Sequence, residues 1–136
     1  MIRLHHVQVS CPPGGEDAAR RFYGAGLGLV EVAKPPELAG RGGVWFRGFD
    51  DTGAVVAEVH VGVEEPFAPA RKAHPAFVLD SVADLEEVAA RLTGLGHPVD
   101  RGEWASFPGY CRVHTGDGVG NRVEILADLP GRRPEP

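Results

Sequence analysis

The chain has 136 residues, with 14 Lys and Arg against 19 Asp and Glu, a formal charge of −5 and 43% hydrophobic residues. This length suits one domain that buries about two-thirds of its unfolded surface without staples, and two cysteines, Cys11 and Cys111, make no disulfide framework. The acidic balance argues against nucleic acid, no stretch approaches the roughly 20 apolar residues of a membrane span, and Met1-Ile-Arg-Leu-His-His lacks a secretion signal's apolar core, so a cytoplasmic protein is expected.

Residues 4–9 alternate apolar and polar side chains and predict a strand, closed by Cys11-Pro-Pro-Gly-Gly. Residues 16–23 place Ala18, Ala19, Phe22 and Tyr23 at helical spacing behind an acidic first turn, and the glycines of 24–28 end that helix. Strands follow at 29–32, 44–49 and 54–63, with a Pro/Gly-rich loop at 34–43. Residues 64–73, proline-bearing and charged, read as a linker. A strand at 74–79 then leads to a helix opened by Asp80-Ser81, with the apolar stripe Val82, Leu85, Val88, Ala89 and Leu92. Gly94-Leu-Gly stops it, and strands at 97–101, 110–114 and 122–127 complete the pattern. Residues 128–136, with the basic pair of Gly131-Arg-Arg-Pro-Glu-Pro, read as a frayed tail.

The order strand, helix, strand, strand, strand therefore occurs twice, as one module over 1–63 and another over 74–127 of a single domain. Half a chain with one sheet leaves a face wet, so the modules must share a core. The repeat also carries chemistry. His6 precedes Glu58 by 52 positions, and His74 precedes Glu124 by 50. If the halves pair about a pseudo-twofold axis, two imidazoles and two carboxylates meet, and these are ligands for first-row divalent ions. Alternation puts His60 on the face of Glu58, and Arg122 on that of Glu124.

Other residues draw plainer readings. A carboxylate in a mostly apolar sheet needs an ion partner, and Arg112 or Arg122 would serve Glu124 as well as a metal does. Either arginine also suits a clamp on a substrate anion. Trp45 and Tyr110 suit stacking on a substrate, although aromatic residues in so small a sheet are more often core. His114 shares a strand face with Tyr110 and Arg112, as pocket wall or solvated edge; His5 is expected to point away, and His97 to sit by a turn. The glycine-rich turns lack phosphate-loop spacing, and Cys11 has no histidine placed to activate it.

Leu4-His-His-Val-Gln-Val, Phe22-Tyr-Gly-Ala-Gly-Leu-Gly-Leu, His74-Pro-Ala-Phe-Val-Leu-Asp and Gly120-Asn-Arg-Val-Glu-Ile-Leu resemble the vicinal oxygen chelate superfamily over residues 2–127. That superfamily includes glyoxalase I, methylmalonyl-CoA epimerase, extradiol dioxygenases, and fosfomycin and bleomycin resistance proteins. The resemblance implies an α+β fold of two βαβββ modules forming a cupped mixed sheet, commonly in a homodimer. It also implies a divalent ion (zinc, nickel, manganese or iron) on His6, His74 and Glu124, with Glu58 or His60 as fourth ligand. Open positions would take two adjacent oxygens of a small substrate, for lyase, isomerase, dioxygenase or thiol-transfer chemistry, and a loosely held Glu58 could act as general base. The alternative is metal-free sequestration of a drug or metabolite, as in bleomycin resistance proteins.

Overall fold

The computed structural model describes residues 1–131, so most of the predicted tail, with its basic pair, lies outside the described residues. The first module runs β1 (Val7–Cys11), a short helix α1 (Glu16–Ala19) continuing as a π-helical segment (Arg20–Gly26), β2 (Val30–Val32), a single turn α2 (Pro36–Ala39), β3 (Val44–Phe49) and β4 (Val55–Val63). The second runs β5 (Ala76–Leu79), α3 (Val82–Gly94), β6 (Val99–Asp100), β7 (Tyr110–Gly116) and β8 (Arg122–Asp128). Each module builds a four-stranded mixed sheet, ordered β1-β4-β3-β2 and β5-β8-β7-β6. In both, the first strand lies parallel to the last while the other neighbours are antiparallel, because the helix returns the chain across the sheet face.

Three local differences from the sequence expectation have physical causes. The first strand begins at Val7, since residues 4–6 are exposed and outside the ladder. The predicted loop at 34–43 holds α2, where Pro36 fits the first turn because its missing N–H would go unpaired there anyway. The first helix runs past Tyr23 as a π turn, with Leu27 N–H donating to Phe22 O at 2.9 Å. Gly26 closes that turn against α3; a Cβ there would come within 2.7 Å of Leu92 Cδ2, and Arg91 Nε donates to the Gly26 carbonyl at 2.8 Å.

One continuous core joins the modules. Phe22, Tyr23, Phe46 and Val59 from the first pack with Leu85, Leu92, Val113 and Ile125 from the second. Helix α3 presents Leu85, Val88, Ala89 and Leu92 to it and is capped by Ser81, whose hydroxyl accepts from Asp84 N–H. A buried polar knot fastens the linker and both modules. Tyr23 OH donates to Asp117 Oδ2 at 2.9 Å, Asn121 Nδ2 donates to Asp117 Oδ2 and to the Ser10 carbonyl, both at 2.8 Å, and Ala70 N–H donates to Asn121 Oδ1 at 2.9 Å. Burial, then the neighbouring Asp117 charge, pushes the Tyr23 hydroxyl pKa up, so it stays a donor. Burial likewise raises both cysteine thiols, which keeps them unreactive packing groups.

Alternation along the last strands sets up the site. Val59 and Val61, like Val123 and Ile125, enter the core, which turns Glu58, His60 and Glu124 onto the opposite sheet faces. Even there Glu58, His60, His114 and Glu124 are buried, so each needs a compensating partner.

Candidate functional site

In the second module, β8 carries Glu124, and β7 places His114 directly opposite it in the ladder. His74 stands two residues before Ala76, which pairs with Glu124 from the other side. Among the described residues, His74, His114 and Glu124 are the one set of three candidate ligands whose donor atoms all lie within 4.8 Å of one another. Glu124 Oε2 lies 3.1 Å from His74 Nε2, while Oε1 accepts from Arg112 Nη1 at 2.8 Å. Burial alone would raise the Glu124 pKa; hydrogen bonds from Arg112 and His74 outweigh it and hold the carboxyl below its usual range.

His74 lies between two acceptors. Its Nδ1 is 2.8 Å from the Lys72 carbonyl, which can only accept, so Nδ1 carries the proton. In the neutral ring Nε2 then presents a lone pair to an ionised carboxylate. Either a second proton or a cation must lie between them, and a histidine that donates Nδ1–H to a backbone carbonyl is oriented as metal-bound imidazoles usually are. The residues thus fit a divalent ion: two nitrogens and one oxygen, with His114 and Glu124 buried and His74 partly exposed, a donor set suited to ligand distances of about 2.0–2.2 Å.

Arg112 ties this carboxylate to the loop before β7. Its Nη2 donates to Ser106 Oγ at 2.7 Å and lies 3.5 Å from Glu103 Oε2, and its guanidinium lies over Phe107. Of the two roles the sequence allows Arg112, partner of Glu124 or clamp on a substrate anion, the ion pair with Glu124 is present in the structure. Arg122 opens the same strand, and Tyr110, half-buried, packs edge-on against Phe107.

The first module gathers a different group. Glu58 Oε1 accepts from Arg47 Nε and faces His60 Nε2, each at 3.1 Å. Burial opposes ionisation of Glu58, but His60 and Arg47 outweigh it, so the carboxyl sits below its usual range. The His60 ring is sandwiched between Trp45, 3.7 Å away and coplanar within 1°, and His6, 4.0 Å away. His5, expected to point away, instead lies with its Nδ1 2.9 Å from His6 Nδ1. Within the chain, then, His6, Glu58 and His60 do not join His74 and Glu124 in one ligand set. Of these, His6, Glu58 and His74 line one cleft of about 380 Å³, together with His5 and Ala76.

The repeat register explains the division. Gln8 pairs with His60 and Ala76 pairs with Glu124, while His6 and His74 each stand two residues earlier. The counterpart of Glu124 in the ladder is therefore His60 rather than Glu58, which stands two residues earlier on the same strand.

Burial also sets a pH response, on this face and at His97 beside Phe22 in the core. His60, His97 and His114 all have pKa values below the usual 6.5, in each case chiefly because burial disfavours the cation. Protons bind the unfolded chain first, so metal-free stability is complete above the unfolded value and is lost as pH falls through the lower folded values. The loss is up to about 1.4 kcal/mol per pH unit for each ring. Melting curves of the metal-free protein from about pH 7.5 to about pH 5 check this, and an unchanging melting temperature would contradict it.

The Glyoxalase/Bleomycin resistance protein/Dioxygenase superfamily model matches residues 3–125. A glyoxalase family protein from Bacillus anthracis is similar in structure at TM-score 0.81, with 36% identity, over 95% of this chain and 97% of that one. A genomically encoded fosfomycin resistance protein from Listeria monocytogenes has the same fold at TM-score 0.68 and 14% identity, over 96% of each chain. Lactoylglutathione lyase from Agrobacterium tumefaciens has it at TM-score 0.65 and 22% identity, over 92% of each. No curated protein matches the chain.

Proposed function

Because the chain belongs to the Glyoxalase/Bleomycin resistance protein/Dioxygenase superfamily, we propose that it is a metal-dependent enzyme that acts on a small, oxygen-rich molecule through two adjacent oxygens. The observation that carries this reading is His74, whose ring lies between a backbone carbonyl and the Glu124 carboxylate. That arrangement suits a cation far better than a neutral imidazole alone. A divalent ion bound there supplies Lewis acidity to a substrate oxygen as negative charge develops on it.

The chain's own groups define the rest. Arg112 occupies Glu124 Oε1 and so leaves Oε2 as the ligating oxygen. Glu58, on the cleft with His74, is ionised at neutral pH and serves as proton acceptor; its pairing with Arg47 makes it a weak base until substrate displaces that arginine. Arg122 supplies positive charge for an anionic substrate group, while Trp45 and Tyr110 offer ring faces. His6 lines the cleft from the first module as an additional donor, with the His60 ring stacked on it. Val55, Val56 and Val78 are exposed and suit cover by a second copy in a homodimer.

A second reading, metal-free capture of a metabolite, draws on one observation: Arg112 already compensates the Glu124 charge. The two part on metal content. The metalloenzyme reading predicts about one zinc, nickel, manganese or iron per chain, and a melting temperature that falls on chelation and recovers when the ion is restored. An ion at 100 times its Kd contributes about 2.7 kcal/mol. Turnover of dicarbonyls, catechols or epoxides should follow the same ion. A chain that takes up no ion, with unchanged melting after chelation, would contradict it.

A further inference from the structure

The chain enters the β1–β4 ladder only at Val7, which pairs with Val59, so the first part of β4, from Val55 to Glu58, has no strand on that side. Residues 1–6 stand outside the ladder, and a cavity of about 450 Å³ opens between them and β4, lined by Arg3, Leu4, His5, Arg47, Val55 and Glu58. Strand β3 brings Arg47 there by pairing it with Glu58. The cavity continues into the cleft that His74 lines, because Leu4, His5 and Glu58 form walls of both. Its volume falls within the roughly 300–1,000 Å³ of small-molecule sites.

Its charge needs explaining. The chain carries a formal charge of −5, and the groove of about 760 Å³ between β4, β5 and α3 sets Asp50, Asp51, Asp80, Asp84 and Glu87 against Arg91. The cavity beside residues 1–6 has the opposite sign, with two guanidiniums against one carboxylate. Glu58 does not satisfy both. Its Oε1 faces His60 Nε2 and accepts only Nε of Arg47, at 3.1 Å, whereas charged pairs usually close to about 2.7–2.9 Å. The Nη donors of Arg47 reach no acceptor among the described residues, and Arg3 has no hydrogen-bond or ion-pair partner there. One unpaired surface arginine is ordinary; two that converge on a cavity joined to the candidate site make a place for an anion.

We propose that Arg3 and Arg47 seat an oxyanion of the substrate, a carboxylate or a phosphate-type group, while other oxygens of the same molecule reach the ion at His74 and Glu124. This rests on the metalloenzyme reading and names its substrate class, a small molecule with an anionic group beyond its chelating oxygens. The seat lies in the first module, apart from the charge that Arg122 offers on the second sheet. A group held there competes with Glu58 for Arg47, and so supplies the displacement that frees that carboxylate.

Calorimetric titration of chelator-stripped protein with inorganic phosphate, and separately with acetate, tests it. Stripping removes the ion to which either anion would otherwise bind, and fixed ionic strength keeps screening constant. Wild type should bind at least one of the two saturably, and the tighter one identifies the kind of oxyanion. Arg3→Gln alters an exposed residue without a partner, and Arg47→Lys keeps the charge beside Glu58 but loses the fork. Each should weaken Kd by at least about 10-fold, the lower end of what a hydrogen bond to a charged group contributes. Arg20→Gln removes a guanidinium already held by Asp17 and Glu31, and should stay within about 2-fold of wild type. In the wild-type protein the Arg47 Nε 15N signal should move on anion binding while that of Arg20 stays in place. No saturable binding of either anion, wild-type Kd in both Arg3→Gln and Arg47→Lys, or an equal loss in Arg20→Gln would overturn the seat. None of these touches the metal reading, since no ion takes part; a chain that takes up no metal overturns that reading and leaves the anion result as measured.

Discussion

Glu124→Gln should lower metal affinity by at least about 100-fold, more than the loss of a supporting group would cost. The amide keeps the shape of the side chain but removes the charge that both Arg112 and the ion require. A separate effect is expected without metal. Arg112 loses its shortest charge partner and keeps Ser106 and the more distant Glu103, so the stripped variant should be less stable than stripped wild type by about 1–3 kcal/mol. Metal titration reads the first effect and denaturant unfolding the second. If stability falls while affinity does not, Glu124 serves only as the partner of Arg112. Pairing the variant with Arg112→Gln would then show whether the two changes are additive, as they should not be for groups in contact.

Asp117→Ala should be the most destabilising single change in the knot between modules. Asp117 is fully buried and accepts from Tyr23 OH, from Asn121 Nδ2 at 2.8 Å and from Asn121 N–H at 3.0 Å. Val119 N–H donates to it as well, at 3.3 Å, so removing it strands four donors at once, for a loss of about 3–5 kcal/mol. Tyr23→Phe removes one donor and should cost about 1.5–3 kcal/mol, the range for a hydrogen bond to a charged group. The ordering matters more than the magnitudes. A Tyr23→Phe loss equal to that of Asp117→Ala would mean that the carboxylate does nothing beyond holding the tyrosine. Urea unfolding of the three proteins at neutral pH decides this.

The fold was readable because its signals are local and occur twice. Alternation in β3, β4, β7 and β8, the Ser81 cap and the stripe on α3 each follow from side-chain periodicity, and the duplicated order implied a shared core. Residues 4–6 misled because alternation continues past Val7, where the chain leaves the ladder although β4 itself runs on to Val55. The site was readable in part. His74 and Glu124 stood out as repeated ligand types, and they do converge.

His114 did not stand out, because its place beside Glu124 comes from cross-strand pairing rather than from any spacing along the chain. His60 was hard to place for a related reason. Matching Ala-Glu-Val to Val-Glu-Ile is compelling as text, but the ladder aligns the copies through the first strands, two residues away from that match. Strand alternation conserves the face under a two-residue slip, so the sequence cannot reveal it. The buried role of Asp117 and Asn121 depends on Tyr23 and Ser10, about a hundred positions earlier, and short-range patterns do not carry that information.

The most direct measurement is anomalous diffraction from crystals of the protein loaded with zinc and recorded on both sides of the zinc absorption edge. The expected result is one strong peak per chain, within about 2.0–2.2 Å of nitrogen atoms from His74 and His114 and an oxygen of Glu124. Anomalous density only beside His6 and His60, or none in the second module at full zinc loading, would contradict the account.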